Sequence, residues 1–114
     1  MGFLNSKFWE GNTIKSRVLK RDSYKCQYCG TILTKDTKII CFDHINPKSQ
    51  GGGGKEENLR ACCFPCNNAK GPRNLEQFRI KVIEKLNKHI DEINFYFGFK
   101  RVRKIKEFKF YFER

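Results

Sequence analysis

Hydrophobic and polar positions alternate with different periods along this chain, and the periods predict its elements. From Thr13 to Arg21 (TIKSRVLKR), Ile14, Val18 and Leu19 fall on one face of a short helix, with Asn12 placed to cap it. Lys38 to His44 (KIICFDH) is β-branched and aromatic, which predicts a strand. Pro47 and the glycines Gly51 to Gly54 end that strand in a loop. Asn58 to Cys62 reads as a short second strand, and Pro65 suits the first turn of a short helix. From Leu75 to about Ile93 the period becomes helical, with Leu75, Phe78, Val82, Leu86, Ile90 and Ile93 in one stripe and Asn74 as its cap. A small domain needs such a stripe for its own burial, so the stripe is expected to face the core.

The last segment is patterned differently. Phe95, Phe97 and Phe99 alternate, and so do Phe108, Phe110 and Phe112. Folding the chain about Arg103-Lys104 sets Phe95 opposite Phe112, Phe97 opposite Phe110 and Phe99 opposite Phe108, which predicts a β-hairpin. Arg-Lys lacks the glycine or asparagine of a tight turn. The rival is a continued helix carrying Phe99, Val102, Ile105, Phe108 and Phe112.

Composition adds two constraints. The chain has 114 residues, enough for one small domain whose core is modest. It has no apolar stretch of membrane-spanning length and does not open on a signal peptide. The expectation is an intracellular protein, in which six cysteines read as metal ligands rather than disulfides. Second, 24 Lys and Arg against 12 Asp and Glu leave a net charge of +12. Such an excess concerns partners rather than fold, and a nucleic-acid backbone is the commonest polyanion to match it.

Cys26-x2-Cys29 and Cys63-x2-Cys66 make two knuckles. Two residues between cysteines let both sulfurs face one ion, and two knuckles supply the closed tetrahedron that structural Zn²⁺ accepts. Cys63 rather than Cys62 restores the spacing to Cys66, so Cys62 and Cys41 are expected to be small buried residues. With four sulfur ligands the zinc has no position open for water. Its expected role is to hold the fold.

The chemistry is expected elsewhere. Of the two histidines, His89 lies in a Lys-rich stretch of the long helix, where a solvated surface role fits. His44 ends a predicted strand, directly after Asp43 and just before the glycine loop. An imidazole at such a place can take a proton from water, and the carboxylate beside it is a hard ligand suited to Mg²⁺. Adjacent strand residues point to opposite faces, but a strand end can twist both toward one cleft. Asn67, next to Cys66, offers a second oxygen ligand whose place the zinc site would fix.

The run RDSYKCQYCG … FDHINPKSQGGGGKEENLRACCFPCNNAKG resembles the HNH, or ββα-metal, nuclease family over Val18 to Gly71. It matches at both cysteine knuckles, at DHINP, at the glycine loop, at the asparagine of ENL and at CN-x2-KG. The resemblance implies an α+β fold. Its core is a small ββα-metal unit stapled by a four-cysteine zinc; the residue pattern adds an N-terminal helix, a long amphipathic C-terminal helix and the C-terminal hairpin, whose rival is the continued helix. It implies that His44 is the general base, that Asn58 braces the loop carrying it, and that Asp43 and Asn67 hold a catalytic metal. Asn67 stands where the family name has a final histidine, and its amide oxygen favours Mg²⁺ or Mn²⁺ over softer ions. The implied activity is one-metal hydrolysis of DNA phosphodiester bonds, leaving a 5′-phosphate and a 3′-hydroxyl.

Basic residues supply a candidate substrate track. Lys70 lies one turn after Asn67, within expected reach of a phosphate. Arg73, Lys48 and Lys55 flank the expected cleft, and Lys100, Arg101, Arg103, Lys104, Lys106 and Lys109 could grip double-stranded DNA at a distance. Residues 1–114 are expected to form a single domain, with the motif core at 18–71 and a helical, basic and aromatic extension at 74–114. The extension offers a surface for a homodimer or simply completes the core. The competing functions are a zinc-stabilised nucleic-acid-binding module without catalysis and a nuclease or toxin acting on RNA.

Overall fold

The computed structural model describes residues 13–37, 39–98 and 102–114. The element order is helix α1 (Ile14–Arg21), strand β1 (Ile40–His44), strand β2 (Leu59–Cys63), helix α2 (Phe64–Lys70) and helix α3 (Leu75–Phe97). Short 3₁₀ turns cover Lys48–Gln50, Glu56–Asn58 and Tyr111–Glu113. The two strands pair antiparallel, with Ile40 opposite Cys63, Asp43 opposite Arg60 and His44 opposite Leu59. Helix α2 follows β2 directly and packs on both strands, so the ββα core expected from the sequence is present.

The α1 helix is capped by Thr13, whose hydroxyl accepts the Ser16 amide at 3.1 Å while Ser16 Oγ accepts the Thr13 amide at 2.9 Å. This reciprocal box satisfies two otherwise orphaned donors and displaces the expected cap, Asn12, which lies outside the described residues, as does Lys38. Val18 and Leu19 are fully buried against Leu33, Ile40, Leu59 and Ala61. Asp22 closes α1 and ties it to the sheet, its Oδ2 accepting the Ala61 amide at 2.8 Å. Asn74 caps α3 as expected, accepting the Gln77 amide at 2.8 Å.

The C-terminal hairpin is not formed. Phe95 and Phe97 belong to α3, which runs four residues past Ile93 before Gly98 ends it in a left-handed conformation (φ 69°). Phe99 lies outside the described residues, and the continued helix is not found over 102–110 either. Instead the chain turns back along α3. Asn87 pairs with both backbone groups of Ile105 at 2.7 and 2.9 Å, and Asn94 donates to the Val102 carbonyl at 3.0 Å. The second phenylalanine triplet then packs on the knuckle rather than on the first triplet. Phe110 is buried with Tyr28, Phe78, Cys26 and Cys62, and Phe108 and Phe112 pack against that cluster. Phe95 is left 90% exposed. The physical reason is that the knuckle segment offers unpaired backbone groups. Tyr111 donates to the Tyr28 carbonyl at 3.0 Å and Phe112 to the Gln27 carbonyl at 2.8 Å, an edge the sequence pattern did not reveal.

The α3 stripe divides in the same way. Phe78 is buried, and Leu75 and Val82 pack against the core. Leu86, farther along the helix, is exposed. Arg79 anchors the tail from α3, holding both oxygens of Glu113 at 2.7 and 2.6 Å. No described helix is long and apolar enough to cross a membrane.

Candidate metal centre and active site

The sulfurs of Cys26, Cys29, Cys63 and Cys66 lie within 4.8 Å of one another. Cys29 and Cys63 sulfurs are 3.8 Å apart. A tetrahedron with Zn–S of about 2.3 Å has edges of about 3.8 Å, so the donor set fits that ion. The Cys66 thiol donates to Cys26, lowering Cys26 to about 4 and pushing Cys66 up. Burial and the neighbouring sulfurs push Cys63 up to about 11. Four thiolates cannot coexist here until a metal supplies the opposing charge. Cys62 is fully buried, and burial raises its thiol strongly, so it stays a neutral core residue. Cys41, opposite it in the sheet, is only half-buried, so the expectation of burial holds for Cys62 alone.

Asp43 and His44 end β1, beside Lys70 at the end of α2. The Asp43 carboxylate is 9% exposed. Its Oδ2 accepts the Tyr28 hydroxyl at 2.6 Å and forms an ion pair with the Lys70 ammonium at 2.9 Å. Burial and the Asp43 charge push the Tyr28 phenol up, so it remains a neutral donor. The His44 ring is half-buried and has no hydrogen-bond partner among the described residues. Asn67 stands in α2 directly after the zinc ligand Cys66. Burial pushes the half-buried Cys41 thiol up, and a hydrogen bond from the Asn67 side chain opposes that push.

The loop after His44 is held by Asn58. Its Oδ1 accepts the Asn46 amide at 2.9 Å, and its Nδ2 donates to the carbonyls of Asn46 and Gly53 at 2.9 and 2.8 Å. The Asn58 carbonyl also accepts the Ile45 amide at 2.9 Å. Gly52 is required inside this loop, because a Cβ there would sit 1.7 Å from the Asn46 carbonyl oxygen. Three of the four glycines have no such crowding.

Several sequence-assigned contacts fall elsewhere. Lys70 is fully buried with its ammonium on Asp43 and on the His44 carbonyl, so it cannot serve as a phosphate contact. A buried carboxylate recruits a counter-charge, and Lys70 is within reach from the facing helix. Arg73 turns back on the end of α2, its Nη1 near the carbonyls of Ala69 and Lys70 at 3.4 and 3.3 Å. Lys104 pairs with Asp91 of α3 at 3.2 Å. Lys48, Lys55, Arg103, Lys106 and Lys109 are exposed, and Lys100 and Arg101 lie outside the described residues. Tyr28 was not singled out from the sequence. The signal available was its place inside the knuckle CQYCG, where a buried hydroxyl must find an acceptor.

The HNH endonuclease family model matches residues 26–73, from the first zinc cysteine to just past α2. The match makes residues 26–73 similar to an HNH endonuclease domain. Over 54 residues the chain is 39% identical to the CRISPR-associated endonuclease Cas9 of Corynebacterium diphtheriae, covering 46% of this chain and 5% of that protein. The crystal structure of the type II-C Cas9 enzyme from Actinomyces naeslundii superposes with a TM-score of 0.53 and 28% identity, over 60% of this chain and 7% of that one. The chain thus corresponds to a small part of each relative. The HNH assignment supports a nuclease, and the four-cysteine cluster fits zinc.

Proposed function

We propose that this HNH domain is a metal-dependent endonuclease that hydrolyses DNA phosphodiester bonds, with His44 as general base and Asp43 and Asn67 as ligands of a catalytic Mg²⁺ or Mn²⁺. The observation that carries the reading is the division of labour at the end of β1. Asp43 is held by one oxygen and keeps the other, while the adjacent imidazole has no described partner.

A bound Mg²⁺ would act as a Lewis acid, stabilising the charge that develops on the phosphate and the leaving 3′-oxygen. The chain's own residues do the rest. The His44 ring nitrogen takes a proton from the attacking water, and its free ring can accept that proton without breaking an existing hydrogen bond. Asn58 holds the loop that follows His44, so the base keeps one position through the reaction. Asp43 and Asn67 supply hard oxygen donors from β1 and α2, two elements that pack on each other. The net charge of +12 and the exposed Lys48, Lys55 and Arg103 favour a phosphate-backbone substrate. Double-stranded DNA is the proposed form.

The test uses zinc-loaded protein with supercoiled plasmid, single-stranded DNA and RNA, each with and without added Mg²⁺ and beside His44→Ala. The expected result is Mg²⁺-dependent cleavage of the plasmid that His44→Ala lowers by about 10²-fold or more. Equal cleavage by His44→Ala would remove the general-base role. No cleavage across Mg²⁺ and Mn²⁺ would leave a zinc-stabilised binding module, and preference for RNA would move the substrate class.

A further inference from the structure

The two donors on Asp43 come from different parts of the fold and meet on the same atom. Tyr28 reaches Oδ2 from the zinc knuckle and Lys70 reaches it from the end of α2. Tyr28 is 2% exposed and Lys70 is fully buried, so neither bond competes with bulk water. The Lys70 ammonium also donates to the His44 carbonyl at 2.9 Å, tying both residues of the dipeptide to one point. Among the described residues no donor falls on Oδ1. A carboxylate at a strand end otherwise turns about two side-chain bonds, and a hydroxyl donor together with an ion pair on one oxygen restrains it.

We infer that Tyr28 and Lys70 are positioning residues for the catalytic metal, clamping Oδ2 of Asp43 so that Oδ1 is the oxygen left to face a divalent cation. Tyr28 makes this clamp depend on two distant structures. It lies between the zinc ligands Cys26 and Cys29, and its ring packs edge-on against Phe78 and Phe110 with centroids 5.5 Å away in each case. The Tyr28 carbonyl is also the acceptor for the tail amide of Tyr111. The knuckle and the aromatic tail therefore set where the phenol stands, and the phenol sets the carboxylate. Lys70 carries a charge that opposes a second cation, so its removal changes two things at once. The neutral hydroxyl of Tyr28 is the member whose loss reads cleanly.

This inference rests on the reading of Asp43 and Asn67 as metal ligands, and the experiment separates the two. Mn²⁺ is titrated into zinc-loaded wild type, Tyr28→Phe and Asn67→Ala, with the free-ion electron paramagnetic resonance signal reporting binding. Zinc content and the thermal transition are recorded for each. Tyr28→Phe keeps the ring and its packing and removes only the hydroxyl. The expected result is unchanged zinc content with Mn²⁺ bound about tenfold or more weakly, the usual effect of losing a partner behind a metal ligand. If Asn67→Ala weakens Mn²⁺ binding and Tyr28→Phe does not, the clamp is wrong while the metal site stands. If Asn67→Ala binds as wild type does, or wild type binds no Mn²⁺, the metal site fails and the clamp with it. Loss of zinc from Tyr28→Phe would also overturn the inference, because the hydroxyl would then serve the knuckle and not the aspartate.

Discussion

In the proposed reading two centres share helix α2, and their neighbouring residues Cys66 and Asn67 belong to different chemistries. The zinc centre is made of four sulfurs within 4.8 Å of one another, which leaves an ion no vacant direction. The Asp43-His44 end of β1 is made of hard oxygen and nitrogen donors, several of them uncommitted among the described residues. Soft, saturated ligation suits a permanent ion that holds segments together; hard, incomplete ligation suits an exchangeable ion with room for substrate. On the proposed reading this small chain separates holding from reacting between two adjacent residues of one helix.

The largest effect should come from breaking the closed centre. Cys63→Ser is expected to abolish zinc binding and with it the cooperative thermal transition, because metal binding here is folding free energy. Cys62→Ala, one residue away, should keep a full zinc complement and a cooperative transition. Zinc content and circular dichroism on the two variants check this directly; the reverse outcome would shift the knuckle register by one.

Next is the aromatic tail that backs the knuckle. Phe110 is 2% exposed and stacks on Phe78 with centroids 4.9 Å apart, so Phe110→Ala should cost about 3 kcal/mol or more in denaturant unfolding. Phe95, on the same count of aromatic carbons but 90% exposed, should cost within about 0.5 kcal/mol when replaced by Ala. A large loss at Phe95 would show that the end of α3 is covered in solution, as in a homodimer.

A smaller effect concerns Glu113, whose carboxyl Arg79 holds below the usual range through its hydrogen bonds. A folded-state value below the unfolded one means that the unfolded chain binds more protons in acid. The stabilisation is therefore present above the ordinary glutamate range and lost as the pH falls through the depressed folded value. Both partners still touch solvent, so the pair is worth about 1 kcal/mol. The melting temperature of Glu113→Gln should fall below wild type at pH 7, and the gap should close in acid, once the pH has fallen through the depressed folded value. A gap that persists in acid would mean that the pair acts by packing alone.

Much of the centre was legible from sequence because its signals are local. Knuckle spacing identifies the four sulfurs, and the Asp43-His44 pair followed by a glycine loop marks the strand end. The brace was legible only through resemblance, since nothing in the residue pattern tells that Asn58 reaches Asn46 and Gly53. The tail was misjudged because mirror symmetry of Phe95–Phe99 and Phe108–Phe112 is a property of the string, whereas burial depends on which backbone edge is free. Lys70 was misassigned for a related reason. Its place one turn after Asn67 fixes which side of α2 it occupies, but only the facing Asp43 carboxylate decides that the ammonium goes inward.

Asn67→Ala decides whether adjacent residues of α2 serve separate centres. Plasmid cleavage by zinc-loaded wild type and Asn67→Ala is compared at a Mg²⁺ concentration below saturation, with zinc stoichiometry measured on the same samples. One zinc per chain is expected in both, with a cleavage rate lower by about 10²-fold in the variant. Wild-type cleavage by Asn67→Ala, or loss of its zinc, would contradict that separation.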